Sequence, residues 1–242
     1  MIGLIGFGRF GALTAYYLSK NFPVKVYSRR QSSESIAASG AGASSLEEVC
    51  EQPFVILCVP ISAMPETLHL IAPLLRRESL VIDVCSVKIH PIQWMREYLP
   101  PDVHILGTHP MFGPDSAADS LEGRKLVLCR ERIPEELYRK VRRYLVAKKL
   151  EVIETTPEEH DRQIAVSLSL THFIGRSLSA FGAGKLKIDT EGYRRLVNTL
   201  GVVEHDTWQL FEDMHRYNPF ACETRVAFME AMHAIDKKLA SD

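Results

Sequence analysis

The sequence predicts an α/β fold: a Rossmann-type, doubly wound, mainly parallel sheet followed by a small all-α domain. Three observations carry this. Short runs that are apolar throughout alternate with helix-patterned stretches over residues 1–154. A glycine-rich turn, Gly6, Gly8 and Gly11, separates the first run from the first helix. Beyond Thr156 only helix patterns recur. Strands apolar on both faces and separated by helices belong to a parallel sheet with helices on either side.

Strands are expected at Ile2–Ile5, Val24–Tyr27, Phe54–Cys58, Leu80–Asp83, His104–Leu106, Lys125–Leu128 and Glu151–Glu154. Helices are expected at Gly11–Asn21, Ser33–Ser39, Met64–Leu75, Ile92–Tyr98 and Glu135–Lys148. Thr156-Pro157-Glu158-Glu159 then reads as a capping box with proline at the first helical position. It opens a long helix to about Phe181, apolar on most sides from Ile164 to Leu178. A helix apolar all round needs burial, and residues 155–242 bury it poorly alone, so a subunit interface and a homodimer are expected. Gly182-Ala183-Gly184 ends it, and two or three more helices run to Leu239. The domains are read as 1–154, nucleotide-binding, and 155–242, helical.

The 242 residues carry 29 basic and 30 acidic side chains, net −1. That balance offers no field for nucleic acid or an anionic membrane, and neither is expected as a partner. The five cysteines form no CxxC pair, so they read as reduced and buried rather than as a disulfide framework or a metal site. The longest apolar run, Phe54 to Met64, is too short and too proline-interrupted to span a bilayer. With the first strand starting at Met1 or Ile2, a cytoplasmic chain without a leader is expected. With no tail past Asp242, no separate feedback domain is expected.

Gly6, Gly8 and Gly11 fit Gly-x-Gly-x-x-Gly with a strand before and a helix after, the setting that gives the motif its meaning. The first glycine permits the tight turn, the second lets backbone approach a pyrophosphate, and the third lets helix and strand pack closely. The pyrophosphate then sits on a helix N-terminus. Phe7, Arg9 and Phe10 share this turn. Cys58, Val59 and Pro60, at the end of the third strand, are expected to border the same cofactor. A carboxylate at the end of the second strand would favour NAD. The residues there are Ser28-Arg29-Arg30; a hydroxyl and two guanidiniums suit a 2′-phosphate, and NADP is expected.

Two further segments stand where an open α/β sheet binds its ligands. They are Asp83-Val84-Cys85-Ser86-Val87-Lys88 and Gly107-Thr108-His109-Pro110-Met111-Phe112-Gly113-Pro114. His109, just past a strand, is placed for proton transfer near neutral pH. On chemistry alone, catalysis and ordinary loop hydrogen bonding stand level for it.

Thr-His-Pro-Met-Phe-Gly-Pro at 108–114, Asp-Val-Cys-Ser-Val-Lys at 83–88 and Ser-Leu-Thr-His-Phe-Ile-Gly-Arg at 169–176 resemble the prephenate/arogenate dehydrogenases of tyrosine biosynthesis. Glu-His-Asp-Arg at 159–162 and Ile-Asp-Thr-Glu-Gly-Tyr at 188–193 are similar to the plant-type arogenate enzymes in particular. The resemblance implies oxidative decarboxylation of a cyclohexadienol. Hydride leaves the ring carbon bearing the hydroxyl, carbon dioxide leaves the opposite carbon, and the ring becomes aromatic. It implies that His109 hydrogen-bonds the hydroxyl and takes its proton, and that Ser86 holds the same centre and steadies the histidine.

It also implies that Asp206, read as part of a helical stretch, meets the ammonium of arogenate, where prephenate-preferring relatives carry a neutral residue. A carboxylate there favours the amino acid over the keto acid. Ser116 matches a substrate-side hydroxyl, and Thr190 a threonine reaching the ligand, from its own or the partner subunit. His172 lies on a stripe with His160, Ile164, Leu168 and Arg176; a site role and a satisfied core histidine are both open. Leu168 departs from the glutamine of plant-type relatives, leaving one substrate hydrogen bond without its donor.

Arogenate is the expected substrate, with prephenate as alternative. A β-hydroxyacid dehydrogenase would want a catalytic lysine in its helical part, and Lys185 and Lys187 lack that setting. A non-catalytic NADP-binding sensor would need neither His109 nor Ser86 at strand ends.

Overall fold

A computed structural model describes residues 1–203 and 206–240. The chain divides into two compact units, Met1–Glu158 and Glu159–Asp242.

The first unit is an eight-stranded sheet: β1 Ile2–Ile5, β2 Val24–Tyr27, β3 Gly42–Ala43, β4 Phe54–Leu57, β5 Leu80–Asp83, β6 His104–Pro110, β7 Lys125–Arg130 and β8 Glu151–Glu154. The spatial order is β3-β2-β1-β4-β5-β6-β7-β8, parallel except where β7 runs against β6. The order reverses between β1 and β4, and at that switch point the carboxyl ends open a crevice. Helices α1 Arg9–Ser19, α2 Ser33–Ala37, α3 Leu46–Cys50, α4 Met64–Ile71, α5 Ile89–Tyr98 and α6 Glu135–Ala147 connect the strands. The core is built on the sheet from Leu4, Val26, Ile36 and Ile56 on one side of the molecule and Leu106, Leu126, Leu128 and Tyr138 towards the other edge.

Four expectations are corrected. β6 runs four residues further, to Pro110, because Leu106 to Pro110 pair with β7 as an antiparallel ladder; Thr108, His109 and Pro110 become strand through that partner alone. The two-residue β3 and the short α3 were missed. The Ser45/Glu48 capping box that starts α3 is present in the structure, so a local signal for it existed. The sheet is not covered throughout. Between α1 and α6 the strand residues Ile56, Ile82 and Leu106, with Val84 just past β5, line an apolar groove of about 650 Å³.

The second unit holds α7 Pro157–Ile164, a π-helical turn Ala165–Leu170, α8 Thr171–Phe181, α9 Glu191–Val203, α10 Trp208–Arg216 and α11 Ala221–Leu239. The first three form one continuous helix that ends on Gly182 in the left-handed region, φ 84°, where glycine carries no Cβ penalty. Within the single chain this helix is buried only in part, as expected for residues 155–242 alone: Val166 and Phe181 are exposed, and 28% of its most apolar stretch is buried. Pro157–Phe181, whose most apolar 18-residue stretch has mean hydropathy 1.2, is long and apolar enough to cross a membrane by length and composition. Serines, a threonine and a histidine interrupt its apolar surface, so no long uninterrupted apolar run marks it in the sequence.

Candidate active site

The glycine turn is built as the motif requires. Gly6 has φ +97°, and a Cβ on it would lie 2.3 Å from the Cys58 carbonyl oxygen. A Cβ on Gly11 would lie 2.3 Å from the Gly6 carbonyl oxygen. Neither position tolerates a side chain. Gly8 differs: a Cβ there meets no atom within 4 Å, so the glycine faces open space rather than a packed wall. As N-cap of α1 it provides no side chain to bond the first-turn N–H groups. An uncapped helix start beside open space fits a dinucleotide pyrophosphate.

Phe7 and Phe10 do not turn their rings to this space. Phe7 is buried in the core, leaving its backbone to the turn, and Phe10 packs towards Phe112 with centroids 6.3 Å apart. Arg9 bonds Asp115 at 2.6 Å and so ties the loop after β6 to the start of α1. Cys58 donates its N–H to the Ile5 carbonyl at 2.8 Å, and Val59 lies 3.2 Å from the Gly6 Cβ position. Pro60 follows, exposed, at the start of a 3₁₀ turn. Burial pushes the Cys58 thiol up to about 12, which keeps it neutral lining rather than a nucleophile.

At the end of β2, Ser28 Oγ accepts from the Arg30 and Gln31 N–H groups at 3.4 and 3.3 Å. Arg29 and Arg30 are exposed, and Arg29 has Glu66 at 3.7 Å. The serine thus shapes the turn that presents the two guanidiniums.

Asp83 pairs with Gly107 in the β5–β6 register, so Thr108 and His109 continue β6 past the end of β5. His109 is a buried strand residue opposite Val127, not a loop residue past a strand. Ser86 lies in the turn after β5. Its Oγ is buried and without a hydrogen-bond partner among the described residues, as a hydroxyl waiting for a ligand atom would be. Ser116 is exposed and its hydroxyl serves its own loop, accepting from Gly113 N–H at 3.0 Å. In this arrangement it braces the turn.

In the second unit, His172 is buried, with Nε2 3.7 Å from an Asp206 carboxylate oxygen. Burial lowers its pKa; Asp206 opposes this and Arg176 adds to it. The Nδ1 atom and the Ser169 hydroxyl are buried without hydrogen-bond partners among the described residues. Asp206 is not helical. It sits in the turn before α10, where Thr207 is the N-cap, and its carbonyl accepts from Arg176. Its neighbours 204 and 205, part of the same expected stretch, lie outside the described residues. Thr190 is exposed and accepts from the Tyr193 N–H at 3.2 Å, in the manner of a cap for α9. Leu168 drops out of the expected stripe. The π turn adds a residue to one helical turn, so the buried face steps from Ile164 and Ala165 to Ser169, His172 and Gly175. Ser169 is the residue that sequence reasoning missed, and nothing in the local pattern signals a π turn.

Residues 18–154 match the family described as prephenate dehydrogenase, nucleotide-binding domain. The chain belongs to this family. Residues 177–242 match a second description, TYRAAT1-like, C-terminal domain. Arogenate dehydrogenase 2, chloroplastic, of Arabidopsis thaliana is 32% identical over 98% of this chain and 69% of its own length. Arogenate dehydrogenase 1, chloroplastic, of the same plant is 31% identical over 98% of this chain, which spans only 39% of that relative. Among solved structures, Synechocystis arogenate dehydrogenase superposes with TM-score 0.74 at 22% identity, over 99% of this chain and 92% of that one. Prephenate dehydrogenase from A. aeolicus, in complex with hydroxyphenyl propionate and NAD+, gives 0.77 at 19%, over 98% and 90%. The fold is that of these enzymes, and the arogenate/prephenate dehydrogenase type of oxidoreductase is the function the family carries.

Proposed function

We propose that the protein oxidises arogenate, with NADP+ as the acceptor, to give tyrosine and carbon dioxide. The observation that carries the reaction class is a buried Ser86 hydroxyl without a hydrogen-bond partner among the described residues, just past β5, with His109 on the neighbouring strand β6, at the carboxyl ends of the strands, where the glycine turn also lies. The bound nicotinamide supplies the hydride acceptor. His109 holds the substrate hydroxyl and takes its proton as the carbon–oxygen double bond forms. Ser86 fixes the same oxygen. Loss of carbon dioxide from the opposite ring carbon then delivers the aromatic product.

The reading of NADP rests on Ser28, Arg29 and Arg30 and on the lack of a carboxylate at the end of β2. The preference for arogenate rests on Asp206, a partly exposed carboxylate able to meet an ammonium, while His172, Thr190 and Ser116 would serve the substrate as supporting groups. Thr190 and Ser116 each accept one backbone N–H, and a hydroxyl oxygen keeps a second lone pair with which to meet a ligand.

The same reading has the chain working as a homodimer. Val226, Met229, Met232, Ile235 and Leu239 of α11 are all exposed, a larger apolar surface than one helix of a monomer commonly shows to water. The deciding experiment follows reduced-nicotinamide absorbance with arogenate or prephenate against NADP+ or NAD+. The expected result is fastest turnover with arogenate and NADP+. Faster turnover of prephenate would move the substrate assignment, and equal use of NAD+ the cofactor assignment. No turnover with any pair would leave an NADP-binding sensor.

A further inference from the structure

Lys88 is the largest of the fully buried side chains, and its ammonium lies in the interior beside the equally buried Asp83 carboxylate. A lysine in such a place is expensive unless its charge is paired and its donors are used. Here they are used across two strands. The ammonium donates to Asp83 Oδ1 at the end of β5 and to the Thr108 carbonyl of β6 at 2.6 Å. The same Asp83 oxygen accepts the Cys85 N–H at 2.9 Å, and the Thr108 hydroxyl donates to the Asp83 carbonyl at 2.6 Å.

We propose that Lys88 is a positioning residue that sets Ser86 and His109 relative to each other. Its ammonium joins the turn delivering Ser86 to the peptide group immediately before His109. Lys88 has no exposed surface, so it acts on the substrate only through these two residues. An apolar side chain would fill the same volume but could not bond the Thr108 carbonyl or the Asp83 carboxylate. The inference rests on the roles given above to Ser86 and His109.

The test uses the full chain and a double-mutant cycle. Asp83→Asn together with Lys88→Met removes the strut without stranding a buried charge. The expected outcome is a fall in kcat of about 10- to 100-fold, the scale of a small misplacement at a reacting centre. Substrate KM and NADPH affinity should stay within about twofold. In a His109→Asn background the same change should cost less than about twofold, because residues acting as one unit are not additive. An unchanged kcat, or an equal loss in both backgrounds, would overturn the proposal. If the double variant does not fold, Lys88→Arg runs the same cycle, since a planar guanidinium cannot reproduce the ammonium's bonds.

One readout is independent of activity: the His109 ring resonances, identified by their loss in His109→Asn. They should shift on removal of the strut while those of the other histidines hold. Unmoved resonances would sink the strut even if the substrate assignment stands. A wild-type protein that turns over neither substrate, with shifted resonances, would sink the catalytic reading and leave the strut.

Discussion

At the scale of single residues, burial decides what each side chain can do. His109 is inside a strand and shielded, which gives a proton acceptor a fixed direction. Replacing it with asparagine should lower turnover ~10²–10⁴-fold, the usual contribution of a general base, with NADPH binding retained by fluorescence titration. Retained turnover would remove His109 from the chemistry. Asp206→Asn keeps shape and loses charge, so it should raise the prephenate-to-arogenate ratio of kcat/KM by about tenfold or more, the worth of one charge-assisted hydrogen bond. A ratio that does not move would put specificity elsewhere. His215 shows the cost of burying a titratable ring: burial first, then Arg225 and His172, lower it to about 4. The unfolded chain therefore binds the proton more readily than the native one. Stability is full above about pH 6.5 and declines as pH falls towards about 4. His215→Gln should flatten that part of the melting-temperature profile; an unchanged slope would assign it to other groups.

At the scale of elements, close backbone approach is what fixes the helical unit. A Cβ on Gly175 would meet Val203 Cγ1 at 3.0 Å and the Thr199 carbonyl at 3.1 Å, so α8 and α9 touch through a glycine. Gly175→Ala should cost about 1–3 kcal/mol by overpacking, read as a melting temperature lowered by several degrees; an unaltered melt would mean that α9 yields freely. The strands β1, β2, β5 and β8 were legible to the residue, because apolar runs bounded by turns leave little choice of ends. The far end of β6 was not, because Thr108 to Pro110 become strand only by pairing with β7. Nor was the π turn, which moves Ser169 onto the buried face in place of Leu168. Its cause lies in what the helix packs on, not in a spacing that can be read from the chain.

For the whole molecule, surface left uncovered is the main unspent feature. Apolar residues of α11 and of Pro157–Phe181 are exposed in the single chain, and the proposed second copy would cover them. Met229→Glu with Ile235→Glu should halve the mass measured by analytical ultracentrifugation if α11 carries the dimer. A wild-type chain already sedimenting as a monomer would refute the homodimer.

The sequence by itself determined the class of fold, the glycine turn and the family, since each depends on local rules: period, turn chemistry and short motifs of specific residues. It also named Ser86, His109 and Asp206. Only the tertiary structure decided their state. It put His109 within a paired strand, left the Ser86 hydroxyl without a partner among the described residues, set Asp206 in a turn against His172 and gave the hydroxyls of Ser116 and Thr190 a backbone N–H of their own turns to accept. It alone disclosed the Asp83–Lys88 pair, because a lysine in a loop-like hexapeptide reads as a solvated charge. Burial and partnership are properties of distant segments brought together, and a linear pattern carries neither.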